Sequence, residues 1–318
     1  MSSVLFALTV LSFSSFGLET DQFLPTNIVL KDSAPIINDY FEQQIAKAID
    51  KANSKNPEKV ACTELAGNVL NNLVGAKYFG ISKVSKFART SPLIERYPDD
   101  SVSESEYRKM SFYENSDILL KMAAFARTIN VNGIYMGTDK LGHFSLLGRN
   151  YYHNYLSFRK DGLNKDQAIE KAILKGFKTE KGLLGYSIGG VLSFGDLEAN
   201  YEGMMFALKI CDEQNPYVLF KDGKYIRNTE RPFDLKEYFN PRMDESYLLS
   251  FWRPGLYKRI KPKLEKEYCA TVKDPMYQER ISKYPPIVEN LNDRLIREHI
   301  LTIPKFERKL EDVQSFCE

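Results

Sequence analysis

Several features that mark large classes of protein are missing from this chain of 318 residues. Its 44 basic and 42 acidic residues give a net charge of +2, which leaves no excess of positive charge for binding nucleic acid. Beyond the N-terminal segment, no stretch reaches the ~18 uninterrupted apolar residues of a membrane span, so we predict no transmembrane helix in the mature chain. The sequence also lacks a phosphate-binding loop, a GxGxxG pattern and a GxSxG motif. A functional site in this chain would therefore be formed by polar residues that belong to none of these three motifs.

Cysteine is scarce and widely spaced. Cys62, Cys211, Cys269 and Cys317 form no CxxC pair, which argues against a zinc ribbon or a thioredoxin-like site. In an exported protein an even number of cysteines predicts disulfides, here two bonds with three connectivities left open. Four buried thiols are the alternative.

The first residues resemble a signal peptide. Residues 1–17 carry no charged side chain, and Val4 to Phe16 would serve as the apolar region. Ser15 and Gly17 place small residues before a cleavage site at Leu18. We therefore predict a signal peptide over 1–17 and a periplasmic or secreted protein. No basic residue precedes the apolar region, so a buried N-terminal helix is the alternative, and cleavage itself is left open.

Most of the remaining chain has the apolar periodicity of helices. Spacings of three and four residues predict one helix from the Ser33-Ala34-Pro35 start signal to about Asn53 and a second that ends near Gly75. Another helix is expected to begin at Ser116 and to end at Asn130 to Gly133. After Cys211 the pattern changes, and an Asp-Gly pair between apolar runs predicts a β-hairpin over residues 217–227.

These patterns predict a mainly α protein, a soluble helical bundle with a small β-hairpin and an irregular C-terminal extension. The helical core domain would span residues 18–211 and carry the candidate site. Residues 212–318 would form an extension packed on that core.

Polar residues gather on two of the predicted helices. Asp139 and His143 are four residues apart, as are Asp196 and Asn200 on a helix that Ser193 is expected to cap. Each pair therefore shares one helix face. If the two helices pack together, an imidazole, carboxylates and an amide meet in one cleft, which suits proton transfer or the binding of an anionic group.

Two neighbours complete the candidate set. Lys140 would stabilise anionic charge, and Glu180, just before the Gly-rich run from Gly182 to Leu192, could add a third carboxylate. That run is expected to allow close packing rather than to bind phosphate. His143 is thus the candidate general acid, general base or metal ligand, and Asp139 and Asp196 would orient it or bind a cation. Asn200 would donate a hydrogen bond. With Lys140 and Glu180, these residues form the set of candidate catalytic residues.

Each of these residues also has a structural explanation. Asp139 lies in a first helical turn, where the helix dipole favours an acid, and Asp196 fits the third position of a capping box. Lys140 is compatible with an exposed position, and His143 and Asn200 with hydrogen bonds inside a bundle. The alternative function is therefore a non-catalytic periplasmic scaffold or binding protein, in which these residues form a structural ion-pair network.

The cofactor and partner are less constrained. One histidine with two or three carboxylates suits a divalent metal of hard or borderline character better than structural zinc, so a divalent metal stays an open alternative. The expected partner is an envelope component or a small molecule, and not nucleic acid. The basic stretch from Arg253 to Lys266 leaves peripheral association with a membrane open.

The two polar motifs carry a family resemblance. The D-K-x-x-H motif that begins at Asp139 and the D-x-x-x-N-x-x-G motif that begins at Asp196 resemble the signature of the VanZ-like group and of related predicted periplasmic proteins of unknown function. The resemblance covers about residues 135 to 205. It implies an envelope-associated helical fold with a polar central site, with Glu180 as the candidate for the acid between the motifs.

These observations together favour an exported cell-envelope protein. The leading hypothesis is a hydrolase or transferase acting on a phosphate- or glycan-containing envelope component. A secreted effector acting on another cell is a third hypothesis.

Overall fold

Helices form most of the protein in a computed structural model, which describes residues 20–75, 81–114, 125–182, 185–300 and 317. This confirms the predicted mainly α class. The predicted signal peptide lies outside the described residues, as do residues 116–124 of the helix expected to begin at Ser116. The N-terminal helices are α1 (Ala34–Asn53), α2 (Cys62–Val74), α3 (Lys83–Thr90) and α4 (Glu104–Met110).

The middle of the chain supplies the helices that carry the candidate residues. Asp139–Gly142 (α5) continues into a π-helical turn, His143–Leu147, and then into Gly148–Lys160 (α6). Reciprocal hydrogen bonds between Asn164 and Gln167 start the next helix. The two remaining helices of this group are α7 (Lys165–Gly182) and α8 (Phe194–Ile210).

The C-terminal part is built from shorter helices. A π-helical turn, Leu264–Tyr268, joins the first two of them. They are α9 (Pro254–Lys263), α10 (Cys269–Thr271), α11 (Pro275–Ser282) and α12 (Leu291–Ile300).

Within the described residues, three antiparallel strand pairs accompany the helices. They are β1 (Thr128–Val131) with β2 (Ile134–Gly137), β3 (Val191–Leu192) with β6 (Phe251–Trp252), and β4 (Val218–Lys221) with β5 (Lys224–Arg227). The β4–β5 pair is the predicted hairpin, with Asp222 and Gly223 at positive φ in its turn.

The prediction of a helix as far as Asn130 was wrong, because β-branched residues around an Asn-Gly turn form the β1–β2 hairpin instead.

Aromatic packing and one close backbone crossing fix the helices around the site. Phe144 of the π-turn lies 5.6 Å between ring centroids from both Phe41 of α1 and Phe206 of α8. A Cβ placed on Gly203 of α8 would come within 1.9 Å of the Phe144 carbonyl oxygen. The absence of a side chain at Gly203 therefore lets α8 cross directly against the turn that carries His143.

Two disulfides link distant parts of the chain. Cys62 pairs with Cys211, which joins the start of α2 to the end of α8, and Cys269 pairs with Cys317. This is one of the three connectivities that the sequence left open. Among the described residues, no helix is both long enough and apolar enough to cross a bilayer.

Candidate functional site

The two predicted pairs, Asp139 with His143 and Asp196 with Asn200, lie side by side in the protein interior. Asp139 follows β2 with one residue between them, and His143 begins the π-turn, a distortion that occurs often at functional sites. On α8, the Ser193 side chain accepts a hydrogen bond from the Asp196 backbone N–H at 3.0 Å. The cap thus fixes the start of α8 through the Asp196 backbone, while the Asp196 side chain is directed to the neighbouring helix.

Lys140 lies at the centre of a buried ion-pair cluster and is 0% exposed. Its Nζ donates to Asp139 Oδ2 at 2.8 Å, Asp196 Oδ1 at 2.6 Å and Glu245 Oε1 at 2.8 Å. Gly195 makes room for it, since a Cβ there would lie 2.9 Å from Lys140 Cε. Because an ammonium has three protons, these three carboxylates account for all of them. Lys140 is therefore placed to hold the cluster together rather than to meet an anionic ligand.

His143 joins this cluster to Asn200. The His143 Nε2 lies 3.3 Å from Asp196 Oδ2, and its Nδ1 lies 3.1 Å from Asn200 Oδ1. As placed, each ring nitrogen faces the oxygen of a partner, so His143 links the Asp196 carboxyl to the Asn200 amide.

The cluster also has members that the sequence did not reveal. Thr20 Oγ1 donates to Asp139 Oδ1 at 2.6 Å, and the Ser193 hydroxyl donates to Glu245 Oε1. The Glu245 backbone N–H donates to Gln22 Oε1 at 3.0 Å, while Glu245 Oε2 has no partner among the described residues. Thr20, Gln22 and Glu245 lie in irregular segments without periodicity, so no sequence pattern pointed to them.

Burial controls the protonation of the carboxyls. It raises the pKa of Glu180 to about 7, against the lowering effect of His143 and Lys140 and of a hydrogen bond from the Gly185 backbone. It also raises the pKa of Glu245 to about 7, with Lys140 opposing it. Burial acts in the same sense on Asp196, but the His143 and Lys140 charges outweigh it and hold the Asp196 pKa below its ordinary value.

Protonation of Glu180 and Glu245 removes two negative charges from this buried region. It therefore lowers the cost of burying uncompensated charge there.

A cavity of about 540 Å³ reaches one end of this cluster. Buried residues form its inner wall, where the ring of Tyr151 packs against Gly176, a position at which a Cβ would come within 1.9 Å of that ring. The inner wall consists of Tyr151, Gly176, Glu180 and Asn200. Exposed and half-buried residues form the rim, namely Asn71, Leu147, Arg149, Asn150, His153, Asn154 and Thr179.

Three members of the cluster have the composition of a metal site. Asp139, His143 and Asp196 each offer a ligand atom, and these atoms lie within 4.8 Å of one another. Two carboxylates and an imidazole suit a hard or borderline divalent cation. The Lys140 ammonium bonds to both aspartates, so a cation would have to lie beside it.

The structure thus brings the predicted residues together in two groups. Asp139, Lys140, His143, Asp196 and Asn200 are joined by direct contacts. Glu180 lies at the cavity, close enough for its charge to interact with His143, Asp196 and Lys140. His153 lies apart from both groups, at the rim of the cavity.

Comparisons of this chain with models of protein families, with curated proteins and with solved structures gave no match. The resemblance of the two polar motifs to the VanZ-like group stays a prediction. What the site can do is therefore judged from its own geometry.

Proposed function

We propose that this protein is an exported cell-envelope enzyme, a hydrolase or transferase that acts on a phosphate- or glycan-containing envelope component. The observation that carries the proposal is the cavity that ends on Glu180 and Asn200. A pocket with convergent polar groups and a carboxyl of shifted pKa is the usual form of an active site.

Glu180 is the proposed acid–base group. A pKa of about 7 leaves both its acid and its carboxylate form populated at neutral pH, which is the favourable condition for general acid–base catalysis. The acid form donates its proton to the leaving oxygen as the C–O or P–O bond to that oxygen breaks. The oxygen of water, in hydrolysis, or of an acceptor hydroxyl, in transfer, forms the new bond to the same carbon or phosphorus. The Glu180 carboxylate takes the proton that this attacking oxygen releases, which restores the acid form. The Asn200 amide, on the same wall, would hydrogen-bond the substrate.

The inner cluster has a positioning role in this proposal. Lys140 holds Asp139 and Asp196, Asp196 contacts His143, and His143 contacts Asn200 at the cavity wall. Changes at Lys140 or Asp139 should therefore act through folding or through the position of Asn200, and not through contact with the substrate.

The proposal includes a divalent cation as an optional component at Asp139, His143 and Asp196. The spacing of their ligand atoms supports it. Addition of Mn²⁺, Mg²⁺ or Zn²⁺ should raise the melting temperature of the protein, and Asp139→Asn should abolish the increase. An unchanged melting temperature with all three ions would remove the cation from the proposal.

The location in the cell is proposed from two observations. Disulfides form and persist mainly in oxidising compartments, and this chain has two of them. The N-terminal sequence resembles a signal peptide. We therefore place the protein in the periplasm or outside the cell, where an envelope polymer would be its substrate.

A non-catalytic scaffold or binding protein is the second candidate. The full burial of Lys140 among three carboxylates favours it, since such networks can serve to specify how helices pack. In that case the cavity would bind a ligand without changing it.

Turnover of envelope substrates by Glu180→Gln separates the two candidates. Purified wild-type protein and variant are incubated with isolated envelope glycans and phosphate esters, and the products are quantified by mass spectrometry. We expect a loss of at least ~100-fold in rate for Glu180→Gln. Glu170→Gln, at a half-buried position of the same helix away from the cavity lining, is the matched control. Equal rates for Glu180→Gln and wild type, or no turnover of any substrate by wild type, would favour the scaffold.

A further inference from the structure

The rim of the cavity carries two basic side chains on one helix face. Arg149 and His153 of α6 are four residues apart, and both line the cavity. They lie close enough for the charge of Arg149 to help burial lower the pKa of His153. This pairing disfavours a proton on His153 until an anion is bound near it.

Neither side chain has an acidic partner within the described part of the chain. The Arg149 Nη1 donates to the amide oxygen of Asn71 at 3.1 Å, a neutral partner that is itself part of the rim. Burial alone accounts for the lowered pKa of Arg149, without an opposing carboxylate. A half-buried guanidinium held by an amide keeps donors available for a ligand, because it has five N–H groups in all.

Most of the remaining polar side chains that line the cavity are amides, and one is a hydroxyl. Asn71, Asn150, Asn154 and Asn200 each offer both a donor and an acceptor, and Thr179 offers a hydroxyl. This mixture complements sugar hydroxyls, which also donate and accept. The volume of about 540 Å³ lies within the usual range of small-ligand pockets.

We propose that the cavity binds an anionic glycan, with its acidic group at Arg149 and His153 and a neutral sugar reaching inward to Glu180 and Asn200. This inference rests on the proposed function and narrows its substrate class. The acidic group is a carboxylate or a phosphate ester, since Arg149 can bind either one through two parallel hydrogen bonds. Arg149 is then a specificity residue rather than a catalytic one.

Binding to the Glu180→Gln variant tests the inference without turnover. The probes are diacetylchitobiose as the neutral sugar, its phosphate ester, and the disaccharide of N-acetylglucosamine and glucuronate, each titrated by calorimetry. A charge-assisted hydrogen bond should make at least one anionic probe bind about 10-fold or more tightly than the neutral one. The anionic probe with the higher affinity identifies whether the acidic group of the ligand is a phosphate or a carboxylate.

Changing Arg149 provides the internal check. Arg149→Gln should remove the preference, because the affinity for the anionic probe falls towards that for diacetylchitobiose. Arg159→Gln, at an exposed position of the same helix, should retain the preference. If Arg149→Gln does not fold, Arg149→Lys keeps the charge and should retain part of the preference.

Three results would overturn the inference. They are equal affinity for neutral and anionic probes, a preference that survives Arg149→Gln, and no binding of any probe. Each of them leaves the acid–base proposal standing if Glu180→Gln still abolishes turnover of an envelope substrate. Failure of the proposed function appears instead as unchanged turnover in Glu180→Gln.

Discussion

The two ends of the polar cluster differ in what they face. At one end, Lys140 is fully enclosed, with each of its protons donated to a carboxylate. At the other end, Glu180 and Asn200 are equally buried but form the wall of a cavity. Both ends therefore contain buried polar groups. Only Glu180 and Asn200, however, line a cavity that a ligand can enter. Contact with a cavity, more than burial of charge, separates a candidate active site from a structural network.

One continuous helical run connects the two ends. Asp139 and Lys140 of α5 lie in the enclosed part, His143 begins the π-turn, and Arg149 of α6 reaches the cavity rim. A disturbance at the enclosed end should thus change stability first. A disturbance at the cavity rim, at Arg149, should change ligand binding with little effect on folding.

Removal of the central ammonium should have the largest effect. Lys140→Met leaves Asp139, Asp196 and Glu245 without their shared partner, so we expect a loss of ~3–5 kcal/mol in the free energy of unfolding. Denaturant unfolding measures it. Lys160→Met, at the exposed end of α6, should change stability by less than ~0.5 kcal/mol. Equal stability of the two variants would contradict the role assigned to Lys140.

The close crossing of α8 should be the next most sensitive point. Gly203→Ala puts a Cβ within 1.9 Å of the Phe144 carbonyl oxygen, so the helices must separate at a cost of ~1–3 kcal/mol. Gly67→Ala in α2 meets no atom within 4 Å and should stabilise the protein by ~0.5–1 kcal/mol. Thermal unfolding compares the two. Stabilisation by both changes would show that the crossing is looser than described.

The pH dependence of stability should depend on Glu180. Its pKa is raised in the folded state to about 7, so the folded protein binds more protons than the unfolded chain between pH ~4.3 and ~7, and stability falls as pH rises through that window. Glu180→Gln should reduce this fall by ~3 kcal/mol. The lowered pKa of Asp196 acts in the opposite sense, and only at pH below ~4.

The control for this pH profile is the half-buried Glu170 of the same helix, for which Glu170→Gln should reproduce the wild-type slope. Denaturant unfolding at a series of pH values provides the data. A Glu180→Gln profile parallel to that of wild type would show that Glu180 ionises as an ordinary glutamate.

The smallest effect on folding is expected at the cavity rim. Arg149 is half-buried and its single hydrogen bond to a described residue is to Asn71, so Arg149→Gln should change the free energy of unfolding by less than ~0.5 kcal/mol. Its effect should appear in the binding of anionic sugars instead. A loss of several kcal/mol would assign Arg149 to the structural part of the cluster.

Much of this arrangement could be predicted from local sequence patterns. Spacings of four residues placed Asp139 with His143 and Asp196 with Asn200, because helical geometry is periodic. The Ser193 cap and the Asp222-Gly223 turn followed from side-chain and backbone chemistry that acts over a few residues.

What could not be predicted depends on contacts between distant segments. Glu245 meets Lys140 across 105 positions of sequence, and Thr20 meets Asp139 across 119. Neither Glu245 nor Thr20 belongs to a periodic sequence pattern. Only tertiary packing places them beside Lys140 and Asp139. The exposed position suggested for Lys140 was wrong for the same reason, since its three partners come from three parts of the chain.

The ionisation of Glu180 in the intact protein tests the central claim most directly. Carbon-13 NMR of the side-chain carboxyl, assigned by comparison with Glu180→Gln, follows its protonation across the pH range. We expect a midpoint at pH about 7 that shifts when an anionic disaccharide fills the cavity. A midpoint near the ordinary glutamate value of ~4.3, unchanged by the disaccharide, would contradict the assignment of Glu180 as the acid–base group.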